Sequence, residues 1–151
     1  MPGIKPCLWF QSEAEEAARF YVSVFPNSHI GSVMRGGPGT PPIAVEFVLD
    51  GNPFLGLNGR REPGFSDACS FVVPCETQAE IDHYWDSLTR GGEESQCGWL
   101  KDRYGVSWQI VPRAMGELLG GPDPAAAGRA MQAMLGMRKI DIAALERVRR
   151  G

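Results

Sequence analysis

The sequence predicts an α+β protein of two βαβββ modules followed by a C-terminal helical extension. Three features of the 151-residue chain support this prediction. A strand, a helix and three further strands occur twice in that order, capping boxes at Ser12 and Thr77 begin the two helices, and residues 113–151 have helical apolar spacing. Such modules form two mixed sheets with a helix over the outer face of each. We expect the other faces to curl around a cavity.

The first module covers residues 1–59. Ser12 is the predicted N-cap of its helix, with Glu15 reaching back to complete the capping box, and Pro26-Asn27 ends the helix. Asp50-Gly51 is a hairpin turn signal between two alternating segments. The predicted strands of this module cover residues 4–10, 28–35, 43–50 and 53–58.

A polar linker at 60–67 leads to the second module, residues 68–112. Its helix begins at Thr77 and stops at Gly91-Gly92. Its strands are predicted at 68–74, at 93–98 and in a hairpin with the turn Asp102-Arg103-Tyr104-Gly105. In the last strand Trp108 alternates with Gln109, so we expect Trp108 in the core under the helix and Gln109 on the opposite face.

The extension, residues 113–151, is predicted to be helical. Met115 to Leu119 forms a short helix, and Asp123 caps a second helix that has Pro124 at its first position. A last helix covers Lys139 to Arg149. The methionine stripe is typical of ordinary packing, with an oligomerisation surface as the alternative. The second helix is expected to bury Ala127, Met131, Met134 and Leu135.

The composition is that of an ordinary globular protein, with 43% hydrophobic and 22% charged residues. The net charge of −3 and the lack of a basic stripe argue against a nucleic-acid partner. No apolar run approaches the ~20 residues that cross a bilayer, and the N-terminus does not resemble a signal peptide. We therefore expect a cytoplasmic protein with no membrane partner.

The four cysteines, Cys7, Cys69, Cys75 and Cys97, form no CxxC pair, and the sequence has two histidines. This pattern gives poor support for a zinc site. Cys7 and Cys69 lie in strand-like runs and are expected to be small core residues.

The candidate catalytic residue is Glu46, a carboxylate placed mid-strand among apolar residues. If it is buried without a cation, its pKa rises and it can act as a general base. The alternative is an ion pair at the sheet surface with Lys101, Arg103 or another cation. Alternation along the strand does not decide between these two.

The candidate ligand-binding residues combine amides, a hydroxyl and aromatic rings. Gln109 either binds a ligand or satisfies a polar group of a neighbouring strand, and Asn58, at a strand end, is either a turn former or a ligand contact. The full candidate set is Phe54, Asn58, Ser70, Trp99 and Gln109.

Six segments carry a resemblance to a known family: Pro6 to Phe10, Phe25 to Ser28, Leu57 to Gly59, Cys97 to Asp102, Gly105 to Gln109 and Val111-Pro112. Together they resemble the vicinal oxygen chelate superfamily, which includes glyoxalase I, bleomycin-resistance proteins and extradiol dioxygenases. The resemblance is closer to the PhnB-like branch, often labelled 3-demethylubiquinone-9 3-methyltransferase. It implies the doubled βαβββ fold and a homodimer, and it extends into the tail run Met131 to Leu145.

The resemblance also implies a divalent metal held by side chains from the first and last strand of each module. Carried over to this chain, these positions fall on or near Pro6, Gly56, Ser70 and Gln109. One hydroxyl and one amide make a poor donor set for a catalytic divalent ion, and a shift of one residue offers only Cys7 or Cys69. We therefore expect no metal and no cofactor.

The methyltransferase label lacks support in the sequence. A Rossmann-type S-adenosylmethionine site needs a glycine-rich turn between a strand and a helix, whereas Gly36 to Gly39 contains a proline and is followed by Pro41-Pro42.

The sequence thus favours a metal-free glyoxalase-like or bleomycin-resistance-like protein that binds a small molecule, with enzymatic activity left open. One alternative is a lyase, isomerase or oxygenase of the same superfamily with a metal or a rebuilt site. The others are a methyltransferase and a dimeric structural module with a vestigial cavity.

Overall fold

A computed structural model describes residues 2–151 of the chain. It divides into two compact units, Met1–Gly64 and Phe65–Gly151. The first unit contains β1 (Cys7–Trp9), α1 (Ala14–Val24), β2 (His29–Arg35), β3 (Pro42–Leu49) and β4 (Asn52–Leu57). The second contains β5 (Phe71–Cys75), α2 (Gln78–Thr89), β6 (Glu93–Glu94), β7 (Trp99–Lys101), β8 (Ser107–Pro112), α3 (Met115–Leu119), α4 (Pro124–Leu135) and α5 (Ile142–Arg150).

Each unit has one four-stranded mixed sheet with the same topology. The strand orders are β1-β4-β3-β2 and β5-β8-β7-β6. The first strand of each unit pairs in parallel with the last, and the other pairs are antiparallel. The predicted α+β class with two βαβββ modules and a helical extension is therefore confirmed.

The core of the first unit lies between α1 and one face of its sheet. Tyr21 of α1 stacks on Phe47 of β3, and Phe47 stacks on Phe54 of β4 with 5.4 Å between ring centroids. Phe54 is only 7% exposed. It is a core residue under α1, so its predicted place on a ligand-binding face is wrong.

The predicted capping box of α1 is also wrong. The helix begins at Ala14, and the side chain of Ser12 does not cap it. The Ala14 N–H instead donates to Asn58 Oδ1 at 2.9 Å, and the Glu15 carboxylate binds Arg35 at 2.8 Å. By contrast, Thr77 caps α2 as predicted by accepting from the Glu80 N–H at 3.2 Å.

Two cysteines lie outside the core, contrary to the sequence prediction. Cys69 is exposed because β5 begins only at Phe71, and Cys7 is exposed on β1, whose three paired residues form a shorter strand than predicted. Cys75 is the buried cysteine, and burial raises the pKa of its thiol to about 11.

The packed face of α4 differs in part from the one that the sequence predicts. Asp123 caps α4 as expected, but Met131 is 39% and Leu135 is 54% exposed. The buried side chains of α4 are Ala126 and Ala130, and Met134, which was also predicted, is partly buried and packs against the core of the extension. The core of the extension consists of Leu118, Ala130, Ile140 and Leu145.

Within residues 2–151, no helix combines the length and the apolar character needed to cross a membrane.

Candidate ligand-binding site

Three of the predicted ligand-binding residues meet on the face of the second sheet that is turned away from α2. The strand register aligns Val72 of β5, Gln109 of β8 and Trp99 of β7 in one row. Gln109 Nε2 donates to the hydroxyl of Ser70 at 3.0 Å. We call this surface the open face of the second sheet.

The opposite face of the same strands forms the core under α2. Leu100, Trp108 and Ile110 are at most 3% exposed, and Trp108 contacts Phe71 with 5.3 Å between ring centroids. The alternation along β8 therefore directs Gln109 to the open face, as predicted, and buries Trp108.

The turn of the hairpin is fixed by a buried carboxylate. Asp102 is 3% exposed, and its Oδ1 accepts from the backbone N–H groups of Tyr104 and Val106 at 2.9 and 3.0 Å. Its Oδ2 accepts from the Trp108 indole N–H at 2.9 Å. Gly105 adopts φ 89°, so the predicted turn is confirmed.

A second polar row lies beside Gln109 on the open face. Lys101 and Ser107 are paired in register, and both interact with Asp67. The Ser107 hydroxyl donates to Asp67 Oδ1 at 2.9 Å, and Lys101 Nζ lies 3.3 Å from the same oxygen. The hydrogen bond from Ser107, followed by the contacts with Lys101, lowers the pKa of the Asp67 carboxyl.

Sequence reasoning missed this second row. The sequence alone could have placed Lys101 and Ser107 in this row, because both residues flank the predicted turn on the same face as Gln109. It could not have placed Asp67, because Asp67 lies in the segment predicted to be a linker, where no periodicity indicates which way a side chain points.

Glu46 is not the buried base that one alternative predicted. Its side chain is 53% exposed, on the face of the first sheet turned away from α1. Ser32 Oγ donates to Glu46 Oε2 at 2.8 Å, and Lys5 Nζ lies 3.5 Å from Oε1. The Ser32 hydrogen bond and then Lys5 lower the pKa of this carboxyl. The surface ion-pair alternative is thus correct, with Lys5 as the cation.

Asn58 serves the structure of the first unit. Its Oδ1 accepts from the Ala14 N–H, and its Nδ2 donates to the Pro42 carbonyl at 2.9 Å. Both ends of the amide are therefore used, and Asn58 joins the start of α1 to β3 instead of facing a ligand.

The comparisons with known proteins identify the family. Residues 2–111 match the model of the family described as 3-demethylubiquinone-9 3-methyltransferase. The chain belongs to this family. It is the PhnB-like branch of the vicinal oxygen chelate superfamily. The match ends at Val111, so it does not include the tail run that the sequence resemblance covered.

One solved structure supports this assignment, and two others share the fold. The PhnB protein of Bacillus cereus is 36% identical, with a TM-score of 0.65, and the alignment covers 72% of this chain and 98% of that one. Protein PA1353 of Pseudomonas aeruginosa is 18% identical, with a TM-score of 0.62 and coverage of 74% and 98%. The fosfomycin resistance protein FosX of Mesorhizobium loti is 11% identical, with a TM-score of 0.51 and coverage of 73% and 90%. The last two show the fold alone, and no curated protein matches the chain.

The metal positions implied by the superfamily do not suit a divalent ion in this PhnB-like chain. In the parallel strand pair of the first unit, Leu55 lies opposite Cys7, and in that of the second unit, Gln109 lies opposite Val72. Leu55, rather than Gly56, therefore occupies the position that corresponds to Gln109. A Cβ on Gly56 would lie 3.3 Å from the Ala14 side chain, so this position faces α1.

The donor set leads to the same conclusion. Pro6 and Leu55 carry no ligand atom, and Ser70 and Gln109 are neutral and bonded to each other. Among the residues described, no group of three or more His, Cys, Asp or Glu side chains is placed to hold a metal ion.

The residues do not suit S-adenosylmethionine bound in the Rossmann manner either. Gly36 to Gly39 connects the antiparallel strands β2 and β3, so no helix N-terminus follows this glycine-rich segment. The family's description names a methyl transfer, but the fold of this chain offers no dinucleotide-type turn at that segment.

Proposed function

We propose that the protein binds a small organic molecule, without a metal ion, on the open face of the second sheet. The observation that carries this proposal is the Gln109–Ser70 hydrogen bond next to Trp99. A mid-strand amide that is only partly buried and tied to a single hydroxyl keeps hydrogen-bonding capacity for a ligand. An aromatic ring beside a few polar groups is a common composition of small-molecule sites.

The free hydrogen-bonding groups favour a polar ligand with a planar part. Gln109 retains Oε1 and one N–H, and the Ser70 hydroxyl can still donate its proton. Within residues 2–151, the Trp99 indole N–H has no hydrogen-bond partner. The Trp99 ring and the side chain of Val72, which is 55% exposed, add apolar surface.

The charges next to this row favour a ligand without a strong net charge. Lys101 is paired with Asp67, and Glu93 pairs with Lys101 across the sheet. A bound anion would meet two carboxylates beside one ammonium group, which is unfavourable.

The assembly that we propose is a cytoplasmic homodimer. The face of the first sheet turned away from α1 carries exposed apolar side chains, with Trp9 at 47% and Met34 at 60% exposed. Covering such side chains in a dimer removes apolar area from water. Light scattering after size-exclusion chromatography measures the oligomeric state, and a monomer at all concentrations would contradict the proposed homodimer.

The binding proposal is tested by a thermal-shift screen of uncharged and weakly charged aromatic metabolites, followed by calorimetry of the compounds that stabilise the fold. Gln109→Leu removes the amide and is expected to weaken binding by about tenfold or more, since an unpaired polar group remains in the complex. The matched control is Gln132→Leu, an exposed glutamine of α4. Equal affinities for both variants would contradict the proposed site.

The metal-free part of the proposal has its own test. Elemental analysis of protein purified without chelators is expected to find no stoichiometric metal. Stoichiometric zinc, nickel or manganese that Gln109→Leu abolishes would favour a metal-dependent enzyme of the superfamily instead.

A further inference from the structure

The C-terminal extension, residues 113–151, lies outside the match to the family model. The family match ends at residue 111, and the solved relatives described above cover 72–74% of the chain. The extension nevertheless has its own core and makes several contacts with the hairpin that carries Trp99 and Gln109. These contacts connect the extension to the strands that carry the proposed binding site.

Two of the contacts are main-chain hydrogen bonds to the start of the hairpin. The Cys97 N–H donates to the Met137 carbonyl, and the Gly98 N–H donates to the Arg138 carbonyl, both at 2.8 Å. The Gly98 carbonyl accepts from the Ile110 N–H at 2.7 Å. Gly98 directly precedes Trp99, and Ile110 directly follows Gln109. The main chain of residues 137–138 is therefore bonded at Gly98, which precedes Trp99 and is hydrogen-bonded to the residue that follows Gln109.

Gly98 permits this close approach. Its φ is +85°, and a Cβ there would lie 2.7 Å from the Ile110 carbonyl oxygen and 3.2 Å from Ile140. Ile140 is fully buried, so the extension fills the space beside Gly98.

Gln78 of α2 fastens the extension at this point. Its Nε2 donates to the Ile140 carbonyl at 2.9 Å, and its Oε1 accepts from the Ile142 N–H at 2.9 Å. The nearby Lys139–Asp82 ion pair is 3.0 Å long but partly exposed, and such pairs contribute little. The paired amide contact of Gln78 is thus the specific link between α2 and residues 140–142.

We propose that the C-terminal extension is a brace that sets the geometry of the open face of the second sheet, with Gln78 as its positioning residue. This inference rests on the proposed function in taking that face as the binding site. Gln78 touches no ligand in this role, because it acts through residues 137–142 on Gly98, and through Gly98 on Trp99 and Gln109.

The test uses the full-length protein labelled with 5-fluorotryptophan, and the Trp99 resonance is assigned with Trp99→Phe. Gln78→Ala is expected to shift or broaden the Trp99 signal and leave the Trp108 signal, which Asp102 holds, unchanged. Hydrogen exchange at the Cys97 and Gly98 amides is expected to become about tenfold faster. The matched control, Gln132→Ala on the exposed side of α4, is expected to change neither.

An unchanged Trp99 signal with unchanged exchange at Cys97 and Gly98 would overturn the brace. Hydrogen exchange that becomes uniformly faster across α2 and β8 would also overturn it, since that would indicate only lower stability. If Gln78→Ala does not fold, Gln78→Glu keeps the acceptor for Ile142 and loses the donor to Ile140, and the same local changes are expected. None of these measurements needs a ligand, so the result is independent of the binding screen.

Discussion

At the scale of single residues, Asp102 holds the turn of the hairpin in place through its hydrogen bonds. One carboxylate at 3% exposure satisfies two backbone N–H groups of the turn and the indole N–H of Trp108. A buried carboxylate is tolerated because charge-assisted hydrogen bonds replace its water. Asp102 thereby connects the turn to the core under α2.

Replacing this carboxylate is therefore expected to be costly. Asp102→Ala leaves up to three buried N–H groups without an acceptor and is expected to lower the free energy of unfolding by about 2–4 kcal/mol. Urea unfolding followed by tryptophan fluorescence measures the loss. Asp123→Ala, which removes an exposed helix cap, is the control, with an expected cost of about 1 kcal/mol. Equal costs for the two variants would contradict this role of Asp102.

Glu46 provides a prediction about pH. Ser32 and Lys5 stabilise its ionised form, so its pKa in the folded state lies below the ordinary value of 4.5. Its contribution to stability is present above that ordinary value and is lost as the pH falls through the folded-state pKa. Carboxyl NMR titration is expected to give a pKa below 4.5, which rises in Ser32→Ala. A value above 4.5 would restore Glu46 as a candidate general base.

At the scale of elements, α1 depends on a residue far away in sequence. Asn58 follows β4, yet its amide caps α1 and bonds to Pro42 at the start of β3. One side chain thus connects three elements of the first unit.

This role of Asn58 predicts that two substitutions differ in their effect on the stability of the first unit. Asn58→Ala is expected to destabilise the first unit by about 1–2 kcal/mol, because it removes a helix cap and a hydrogen bond to a carbonyl. Ser12→Ala is expected to have almost no effect, because the Ser12 side chain does not cap the helix. Thermal unfolding of both variants measures the difference, and a larger loss for Ser12→Ala would support the local capping box after all.

The two helix caps show how far sequence reasoning reaches. Thr77 and Asp123 were predictable because a cap and its helix are adjacent, whereas the Asn58 cap depends on tertiary packing. Alternation likewise predicted the faces of Trp108 and Gln109 from residues within one strand. It could not reveal that Lys5 pairs with Glu46, or that Asp67 reaches Ser107, because these partners come from distant segments. The exposure of Met131 has the same cause, since packing against α5 turns Ala126 and Ala130 inward.

At the scale of the whole molecule, the chain consists of two units that divide after Gly64. The segment 61–64 is exposed and lies outside the helices and strands. The module boundaries that the sequence predicts, with a linker at 60–67, stay a prediction that proteolysis can examine.

Brief trypsin digestion is expected to cut first after Arg61, because this residue is exposed and lies outside the helices and strands, where proteases cleave most readily. Mass spectrometry should then detect fragments 1–61 and 62–151. The double variant Arg60→Gln/Arg61→Gln is the control and should resist this early cut. An early cut after Arg103 or Arg113 would contradict the compact second unit.

The parallel pairing of the first and last strand in each unit has a consequence for protein synthesis. Cys7 cannot pair with Leu55, and Val72 cannot pair with Gln109, until the whole intervening segment has left the ribosome. Since translation adds about 5–20 residues per second, the first unit can close while the second is still being made. The carbonyls of Met137 and Arg138 emerge only after β8 has been made, so Cys97 and Gly98 acquire these hydrogen-bond partners later than the strands of the second sheet can pair with one another.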